Sequence, residues 1–344
     1  MNSSLPLASR LLGKTIGKWT VIEKRQKTES DNSGFFSTCY TVKDSEDNLA
    51  FLKAYNYVYA FGNKAGSADS LKLMTENFTY ERDLIEFCSE KKMRRIVTAV
   101  NSGEYIELGE IIPVPYLVFE IAEGSLKTHK IMQNPNLSWK LSAFHGALVG
   151  LQQLHRAKII HQDIKPSNIL IFGNNYCKIS DLGNATQLNN KSNWERDDHG
   201  GDLRYAPIEL LYRYFSPNWD TRRYGADFFM MGGLLTYMLT QSNFLTQLLS
   251  KVPATHFHTN YGGTFEEVKS YLMKAYFESI EEIKTGLPEK ISSDLITVIS
   301  ELCHPIPEER GNPKKFHTVH KQYTLQRYIS TIDRLAKFSM WNKL

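Results

Sequence analysis

Four polar residues that could act together lie in the segment from residue 158 to residue 183. Asp163, Lys165 and Asn168 fall in a loop between a predicted helix and a predicted strand, and Asp181 follows the next strand. The side-chain oxygens of Asn168 and Asp181 suit Mg²⁺, which prefers oxygen ligands and keeps phosphate oxygens in its shell. A second carboxylate, Asp163, beside a lysine suits the orientation of a hydroxyl and the neutralisation of a transferring phosphoryl group. The spacing therefore predicts magnesium-assisted phosphoryl transfer.

The sequence before residue 120 predicts a β-rich part. Short apolar runs predict strands over 19–23, 35–42, 50–54, 104–108 and 115–120. One helix, over about 75–88, interrupts them, and Glu81 falls on its apolar face. Burying an unpaired carboxylate is costly, so Glu81 is expected to have a cationic partner.

The sequence beyond residue 120 predicts mostly helices. Ser138 is the predicted N-cap of a helix with an apolar stripe, and short strands over 169–172 and 177–180 flank a turn. Residues 225–240 are apolar on nearly every side, which predicts a helix buried all round. Further helices are predicted over 264–283, 292–303 and 325–335. A short link near 121–124 joins the two parts.

Length and composition exclude several classes of protein. The chain has 344 residues, 42% of them hydrophobic, which predicts two lobes or domains with a sizeable core. A formal net charge of +4 does not indicate nucleic acid as the main partner. The longest apolar run, 228–239, has 12 residues, fewer than the ~20 that span a bilayer, so no membrane partner is expected. Four scattered cysteines without a CxxC pair argue against a zinc cage or a disulfide framework and favour a cytoplasmic location.

Three motifs, in order, resemble those of the eukaryotic-type protein kinase family in a divergent form. Residues 161–168 (HQDIKPSN) resemble the catalytic loop HRDxxxxN, 181–183 (DLG) resemble the metal-binding DFG, and 206–209 (APIE) resemble the end of the activation segment. The resemblance covers about 19–316 and implies a bilobal α+β fold. It places a small β-rich N-lobe at 16–120, a hinge at 121–124 and a larger helical C-lobe at 125–322. Residues 1–15 form an N-terminal extension and 323–344 a C-terminal helical extension.

The resemblance also implies the activity, a protein kinase that uses ATP and Mg²⁺ to phosphorylate Ser or Thr of protein substrates. Asp163 would orient the substrate hydroxyl, Lys165 would stabilise the transferring phosphate, and Asn168 and Asp181 would hold Mg²⁺. The nucleotide-binding residues implied are Gly34, Ser37, Cys39, Lys53, Glu81, Phe119, Glu120, Ala122 and Leu170.

The resemblance also implies a role for these nucleotide-binding residues. Lys53 would pair with the phosphates and with Glu81, while the backbone of Glu120 and Ala122 would bind the adenine edge. Phe119 would be the gatekeeper and Leu170 the apolar floor. Residues 26–40 would form the phosphate loop, with Cys39 over the adenine. In the helical part, the resemblance implies that Asp227 braces the catalytic loop and that Glu209 pairs with Arg310.

The chain departs from the family pattern at three places. The phosphate loop keeps only Gly34 of its glycines, with Ser37 at the third glycine position and Cys39 in place of the usual valine. Gln162 replaces the arginine that meets an activation-loop phosphate, which predicts activity not gated in that way. Asp202 replaces a threonine and would repel Asp163 unless Lys165 bridges them. Two alternatives therefore stay open, a pseudokinase that binds or scaffolds without turnover and a small-molecule phosphotransferase of related fold.

Overall fold

The computed structural model describes residues 5–25, 37–58, 67–133, 135–173, 176–188, 201–315 and 322–343. The chain divides into two compact units. The first comprises residues 1–122 together with 181–183, and the second comprises 123–180 and 184–344. The first unit therefore contains three residues that are distant from the rest of it in sequence. The fold class is α+β, as predicted.

The first unit is built on a six-stranded antiparallel sheet in the order β1-β2-β3-β4-β6-β5. The strands are β1 (Thr15–Ile16), β2 (Trp19–Lys24), β3 (Ser37–Lys43), β4 (Leu49–Tyr55), β5 (Ala99–Tyr105) and β6 (Val114–Glu120). A single long helix, α1 (Ser67–Glu90), lies between β4 and β5 in sequence. Side chains alternate between the two faces of a strand, so each strand contributes to two layers.

One face of this sheet carries the apolar core of the first unit. Tyr40, Leu52 and Val118 lie in it, and none of the three is exposed. The segment before β1 completes this core, because Leu11 is fully buried within it and the Tyr40 hydroxyl donates to the Ala8 carbonyl at 2.9 Å. Part of the predicted N-terminal extension is thus integral to the first unit.

Two elements of the first unit differ from their predicted bounds. The strand predicted over 104–108 is Ala99–Tyr105, a polar, mostly exposed edge strand whose sequence lacks apolar alternation. The apolar residues that prompted the prediction, Ile106 and Leu108, are exposed beyond its end. Helix α1 begins at Ser67, earlier than predicted. Residues 68–74 are exposed or only partly buried, so they show no buried apolar stripe that would indicate the start of the helix.

The second unit is mainly helical. Its helices are α2 (Leu137–Arg156), α3 (Ile208–Leu211), α4 (Trp219–Thr240), α5 (Phe244–Leu249), α6 (Phe265–Thr285), α7 (Glu289–Leu302) and α8 (Gln326–Trp341). Its short strands are β7 (Gly124–Ser125), β8 (Ile159–Ile160), β9 (Ile169–Phe172), β10 (Tyr176–Ile179) and β11 (Thr186–Gln187). These strands form one sheet ordered β10-β9-β7 and a separate pair of β8 with β11.

Helix α2 begins before its predicted cap. Asn136 is the N-cap, and its side chain accepts a hydrogen bond from the Trp139 amide at 2.8 Å. The predicted cap, Ser138, lies inside the helix and donates to the Ala336 carbonyl of α8 at 3.1 Å. Helix α8 therefore packs on α2 within the second unit.

Helix α4 is buried on most sides, as its composition predicts, and it carries Arg223 and Asp227 in the buried set. Among the helices of the described ranges, none combines the length and the apolar character needed to traverse a bilayer.

Candidate active site

In the first unit, a lysine and two carboxylates form a compact charged group. Lys53 on β4 donates to Oε1 of Glu81 on α1 at 2.8 Å and to Oδ1 of Asp181 at 3.1 Å. Burial alone would lower the pKa of Lys53, but the carboxylates of Asp181 and Glu81 outweigh it and raise that pKa well above its usual value. Lys53 is therefore a cation, and the partner expected for Glu81 is present.

A tyrosine that the sequence analysis did not select completes this group. The Tyr55 hydroxyl donates to Oε2 of Glu81 at 2.7 Å. Burial, and then the negative charge of Glu81, raise the pKa of Tyr55 well above its usual value, so the phenol is a neutral donor. The available signal was the position of Tyr55, two residues after Lys53 and so on the same side of a strand.

The predicted nucleotide-binding residues of the sheet share the face that carries Lys53. Cys39 of β3 lies directly opposite Lys53, and Ser37 lies opposite Tyr55. On the opposite edge of β4 from β3, Phe119 of β6 pairs with Phe51 of β4, and their ring centroids are 6.3 Å apart. Because directly paired residues project to the same face, Ser37, Cys39 and Phe119 lie on the face of the sheet that carries Lys53, and Cys39 is its direct neighbour.

The remaining nucleotide-binding predictions fall in several places. Glu120 ends β6 and Ala122 follows it, both partly buried. Leu170 lies on β9 of the second unit, opposite Lys178 and Ser125. Gly34 lies outside the described residues.

In the second unit, Asp163 is held by four hydrogen-bond donors. Its Oδ2 accepts from Lys165 Nζ at 2.8 Å, Asn168 Nδ2 at 3.2 Å and Asn184 Nδ2 at 3.3 Å. Its Oδ1 accepts from the Asp202 amide at 3.0 Å. The residue is only 2% exposed, so these contacts fix the direction of the carboxylate. The sequence analysis did not select Asn184, which directly follows the DLG motif and ends the 3₁₀ turn Leu182–Asn184.

The loop that carries Asp163 is braced from helix α4. The fully buried Asp227 accepts from the amides of His161 and Gln162 at 2.9 and 2.8 Å and from the His155 ring at 2.8 Å. Gln162 has a positive φ of 63°, uncommon for a residue with a side chain, and these contacts offset that strain. The loop is therefore preorganised by α4.

The Gln162 side chain is engaged inside the second unit. Its oxygen accepts from Arg223, and its amide nitrogen donates to the Asn184 carbonyl at 3.0 Å. The residue that replaces the family's arginine thus links α4 to the segment after the DLG motif. Residues 181–209 contain one threonine and one serine: Thr186 is fully buried on β11, and Ser192 lies outside the described residues.

Lys165 forms ion pairs with both Asp163 and Asp202, as expected, and Asp202 has a second cationic partner. Lys165 lies 4.0 Å from Asp202, against 2.8 Å from Asp163, so it is mainly the partner of Asp163. Arg204 forms the close ion pair with Asp202, at 2.6 Å. Burial alone would raise the pKa of Asp202, but hydrogen bonds from Arg204 and the charges of Lys165 and Arg204 lower it. Lys165, which pairs with both carboxylates, and Arg204, which pairs with Asp202, together offset the repulsion between them.

The two predicted metal ligands have donor atoms that fit a hard cation. The Asn168 amide nitrogen donates to the Asp163 carbonyl at 2.8 Å and to its carboxylate, so the amide oxygen is the atom turned to other partners. That oxygen accepts a long bond, 3.4 Å, from Ser167. Asp181 has a positive φ of 62° and offers a partly exposed carboxylate. Both side chains supply the oxygen donors that Mg²⁺ prefers.

A buried ion pair links distant parts of the second unit. Arg310 donates to both oxygens of Glu209 at 2.9 and 2.8 Å and to the carbonyls of Gly225 and His304. Arg310 is fully buried and Glu209 is 4% exposed. The predicted pairing is therefore present as a bidentate ion pair, which is the strongest arrangement of an arginine with a carboxylate.

Comparisons with known proteins agree with this arrangement. A sequence model of the protein kinase domain matches residues 33–323. An Aurora kinase of Debaryomyces hansenii is 25% identical over 74% of the chain and 55% of that protein. The Caenorhabditis elegans serine/threonine-protein kinases par-4 and chk-1 are 27% and 37% identical over 53% and 35% of the chain, and over 33% and 25% of their own lengths. The chain thus spans about half, or less, of these relatives.

Proposed function

Because residues 33–323 match the protein kinase domain, the chain belongs to the protein kinase family, and we propose that it is an active kinase dependent on ATP and Mg²⁺. Its substrates in this proposal are Ser and Thr hydroxyls of proteins. The observation that carries the proposal is the fixed Asp163 carboxylate with Lys165 at 2.8 Å. Residues 163–166 (DIKP), which include Lys165, resemble the form of this segment in Ser/Thr kinases, and this resemblance supports Ser and Thr as the acceptors.

In this proposal each charged residue has one task. Asp163 accepts the hydrogen bond of the substrate hydroxyl and orients its oxygen toward the γ-phosphate. Lys165, between Asp163 and the transferring group, offsets negative charge, and Lys53 binds the nonreacting phosphates. Asn168 and Asp181 hold Mg²⁺, which when bound neutralises phosphate charge.

Two alternative functions compete with this proposal, a small-molecule phosphotransferase and a pseudokinase. The Glu209–Arg310 ion pair, at 2.8 Å, supports a protein kinase over a small-molecule phosphotransferase, where it is not expected. The pseudokinase alternative rests on Asp202 and on the phosphate loop, in which Gly34 is the only glycine between residues 26 and 40. A cytoplasmic location is also proposed, because all four cysteines lie in described residues and none forms a disulfide.

The test compares phosphoryl transfer with nucleotide binding in Asp163→Asn. Labelled ATP and Mg²⁺ are incubated with the protein and a generic protein substrate, and phosphorylated residues are mapped by mass spectrometry. We expect kcat to fall by roughly 10²–10⁴ while calorimetry finds the Mg·ATP affinity nearly unchanged, because Asp163 contacts the hydroxyl and not the nucleotide. The control is Asp294→Asn, an exposed carboxylate paired with Arg334. A wild type that binds Mg·ATP without transfer would establish the pseudokinase alternative.

A further inference from the structure

The two oxygens of the buried Glu81 carboxylate have different donors. Lys53 Nζ contacts Oε1 at 2.8 Å, and the Tyr55 hydroxyl contacts Oε2 at 2.7 Å. The Glu81 side chain is only 5% exposed, so water does not compete for these positions. A hydrogen bond to a charged acceptor is stronger than one between neutral groups, and its loss inside a protein is correspondingly costly.

Rigid elements on both sides hold the Tyr55 hydroxyl in place. Tyr55 is the last residue of β4, is 8% exposed and follows Lys53 by two residues, which puts both side chains on one face. Its ring packs edge-on against Phe78 of α1, with centroids 4.9 Å apart and planes at 72°. The strand therefore meets the helix through an ion pair, an aromatic contact and a second hydrogen bond to the same carboxylate.

This second hydrogen bond constrains how Lys53 uses its three donors. With Oε2 taken by Tyr55, Lys53 contacts one oxygen of Glu81 and keeps a donor on Asp181 at 3.1 Å. Without the phenol, the carboxylate can turn both oxygens toward the ammonium group and draw it away from Asp181. How Lys53 shares its hydrogen bonds between Glu81 and Asp181 thus depends on the Tyr55 hydroxyl.

We propose that Tyr55 is a positioning residue, whose hydroxyl orients Glu81 so that Lys53 is shared with Asp181 and presented to the nucleotide phosphates. The effect on catalysis rests on the proposed kinase function. The orientation of Glu81 itself is a property of the protein without nucleotide. The two parts can therefore be tested separately.

The first measurement is made on Tyr55→Phe, which removes the hydroxyl and keeps the ring against Phe78. We expect the Kd and the KM for Mg·ATP to rise about tenfold, as for the loss of one charge-assisted hydrogen bond. The KM for the protein substrate stays unchanged. A merely structural defect lowers the active fraction, and so kcat, without moving the KM for Mg·ATP.

Tyr57→Phe is the matched control. Tyr57 is also buried, at 6% exposure, and its hydroxyl also contacts α1, where it donates to the Met74 carbonyl at 3.4 Å. It does not share the Glu81 carboxylate in this hydrogen bond. Tyr57→Phe should therefore leave the Kd and the KM for Mg·ATP at wild-type values.

A double-mutant cycle with Glu81→Ala tests whether Tyr55 acts through Glu81. In the Glu81→Ala protein, adding Tyr55→Phe should change the Kd for Mg·ATP less than twofold. Amide hydrogen exchange of the nucleotide-free protein gives a second readout. Tyr55→Phe should accelerate exchange around residue 81 but not in β2 and β3, and Glu81→Ala should abolish the difference.

These measurements separate failure of the inference from failure of the proposed function. A wild type that transfers phosphate, with Tyr55→Phe equal to it in Kd and in exchange, overturns the inference and leaves the kinase function intact. Equal effects of Tyr55→Phe with and without Glu81 overturn it as well. If the wild type transfers no phosphate, the exchange cycle still decides, since faster exchange around residue 81 that disappears in Glu81→Ala supports the positioning role.

Discussion

Asp202 brings a second carboxylate next to Asp163, and its surroundings explain how the protein tolerates it. The Asp202 amide donates to one Asp163 oxygen at 3.0 Å, so the backbone contact is attractive. The Asp202 carboxylate is paired with Arg204 and is 2% exposed, whereas the Arg204 side chain is 49% exposed. The carboxylate of this ion pair is thus buried, whereas its guanidinium group is solvated.

Asp202→Asn should show a pH-dependent loss of stability. The pKa of Asp202 is lowered in the folded protein, so its contribution is present above its unfolded pKa of about 3.9 and is lost as the pH falls through the lower folded value. At neutral pH the variant should be less stable by at most about 1 kcal/mol, because the arginine is solvated. Urea denaturation from neutral pH down to about pH 3 checks this. Asp333→Asn, on an exposed pair with Lys337, is the control. A deficit that stays constant with pH would contradict the assignment.

Thiol labelling can test the predicted place of Cys39. Cys39 is partly exposed, whereas Cys88, Cys177 and Cys303 have no exposed surface, and burial raises the pKa of Cys88 to about 12. We therefore expect N-ethylmaleimide to modify Cys39 alone in the folded protein, because a thiol reacts as its accessible thiolate. If Cys39 lies over the adenine, Mg·ATP should slow the reaction. Mass spectrometry measures the site of labelling and its rate with and without Mg·ATP, and Cys39→Ser is the control. If saturating Mg·ATP leaves the rate of labelling unchanged, Cys39 does not lie in the nucleotide site.

Two adjacent glycines of α4 differ in what surrounds them. A Cβ on Gly232 would lie 2.3 Å from Cys303 Sγ and 2.9 Å from Leu302 Cβ, at the end of α7. A Cβ on Gly233 would meet no atom within 4 Å. Gly232 thus permits the close approach of the two helices, and Gly233 does not determine it.

The glycine pair gives a prediction with an internal control. Gly232→Ala should lower the free energy of unfolding by about 1–3 kcal/mol, since α4 and α7 must move apart. Gly233→Ala should be neutral or stabilising by up to about 1 kcal/mol, because alanine favours a helix over glycine. Denaturant unfolding of both variants tests this prediction. If both substitutions lower the free energy of unfolding equally, the contact between α4 and α7 does not determine the effect of an alanine at residue 232.

The sequence was most informative for elements with a strong apolar pattern, either alternating along a strand or continuous around a buried helix. Strand β4 and helix α4 were predicted near their observed places because their apolar patterns are strong. Edge strand β5 was misplaced because it buries little and its sequence shows no such pattern. The α2 cap was misassigned because Asn136 and Ser138 are both good caps, and local sequence does not decide between them.

At the site, sequence reasoning found residues whose cost of burial demands a partner. Glu81 on an apolar helix face required a cation, and Lys53 is there. Tyr55 and Asn184 were missed because neither residue carries a charge and both act through a hydrogen bond formed in the folded chain. The pairing of Arg204 with Asp202 was not predicted, since it depends on side-chain direction in the folded chain.

At the scale of the whole molecule, the Glu209–Arg310 pair connects positions 101 residues apart in the second unit. Glu209→Ala should lower the free energy of unfolding by about 3–5 kcal/mol, because it leaves a buried guanidinium without its anion. The matched control is Asp294→Ala, whose exposed pair with Arg334 should contribute about 0.2–1 kcal/mol. Chemical denaturation compares the two. Similar small losses in both variants would show that the buried pair is not a stabilising tie.

The membership of residues 181–183 in the first unit has a consequence for recombination between relatives. A single crossover after residue 122 would transfer Lys53, Tyr55 and Glu81 but leave behind Asp181, the second acceptor of Lys53. Three junctions, after residues 122, 180 and 183, are needed to exchange the first unit intact. Hybrid genes joined at one point are therefore expected to combine a lysine from one parent with an aspartate from the other, and to succeed only where both parents keep that pair.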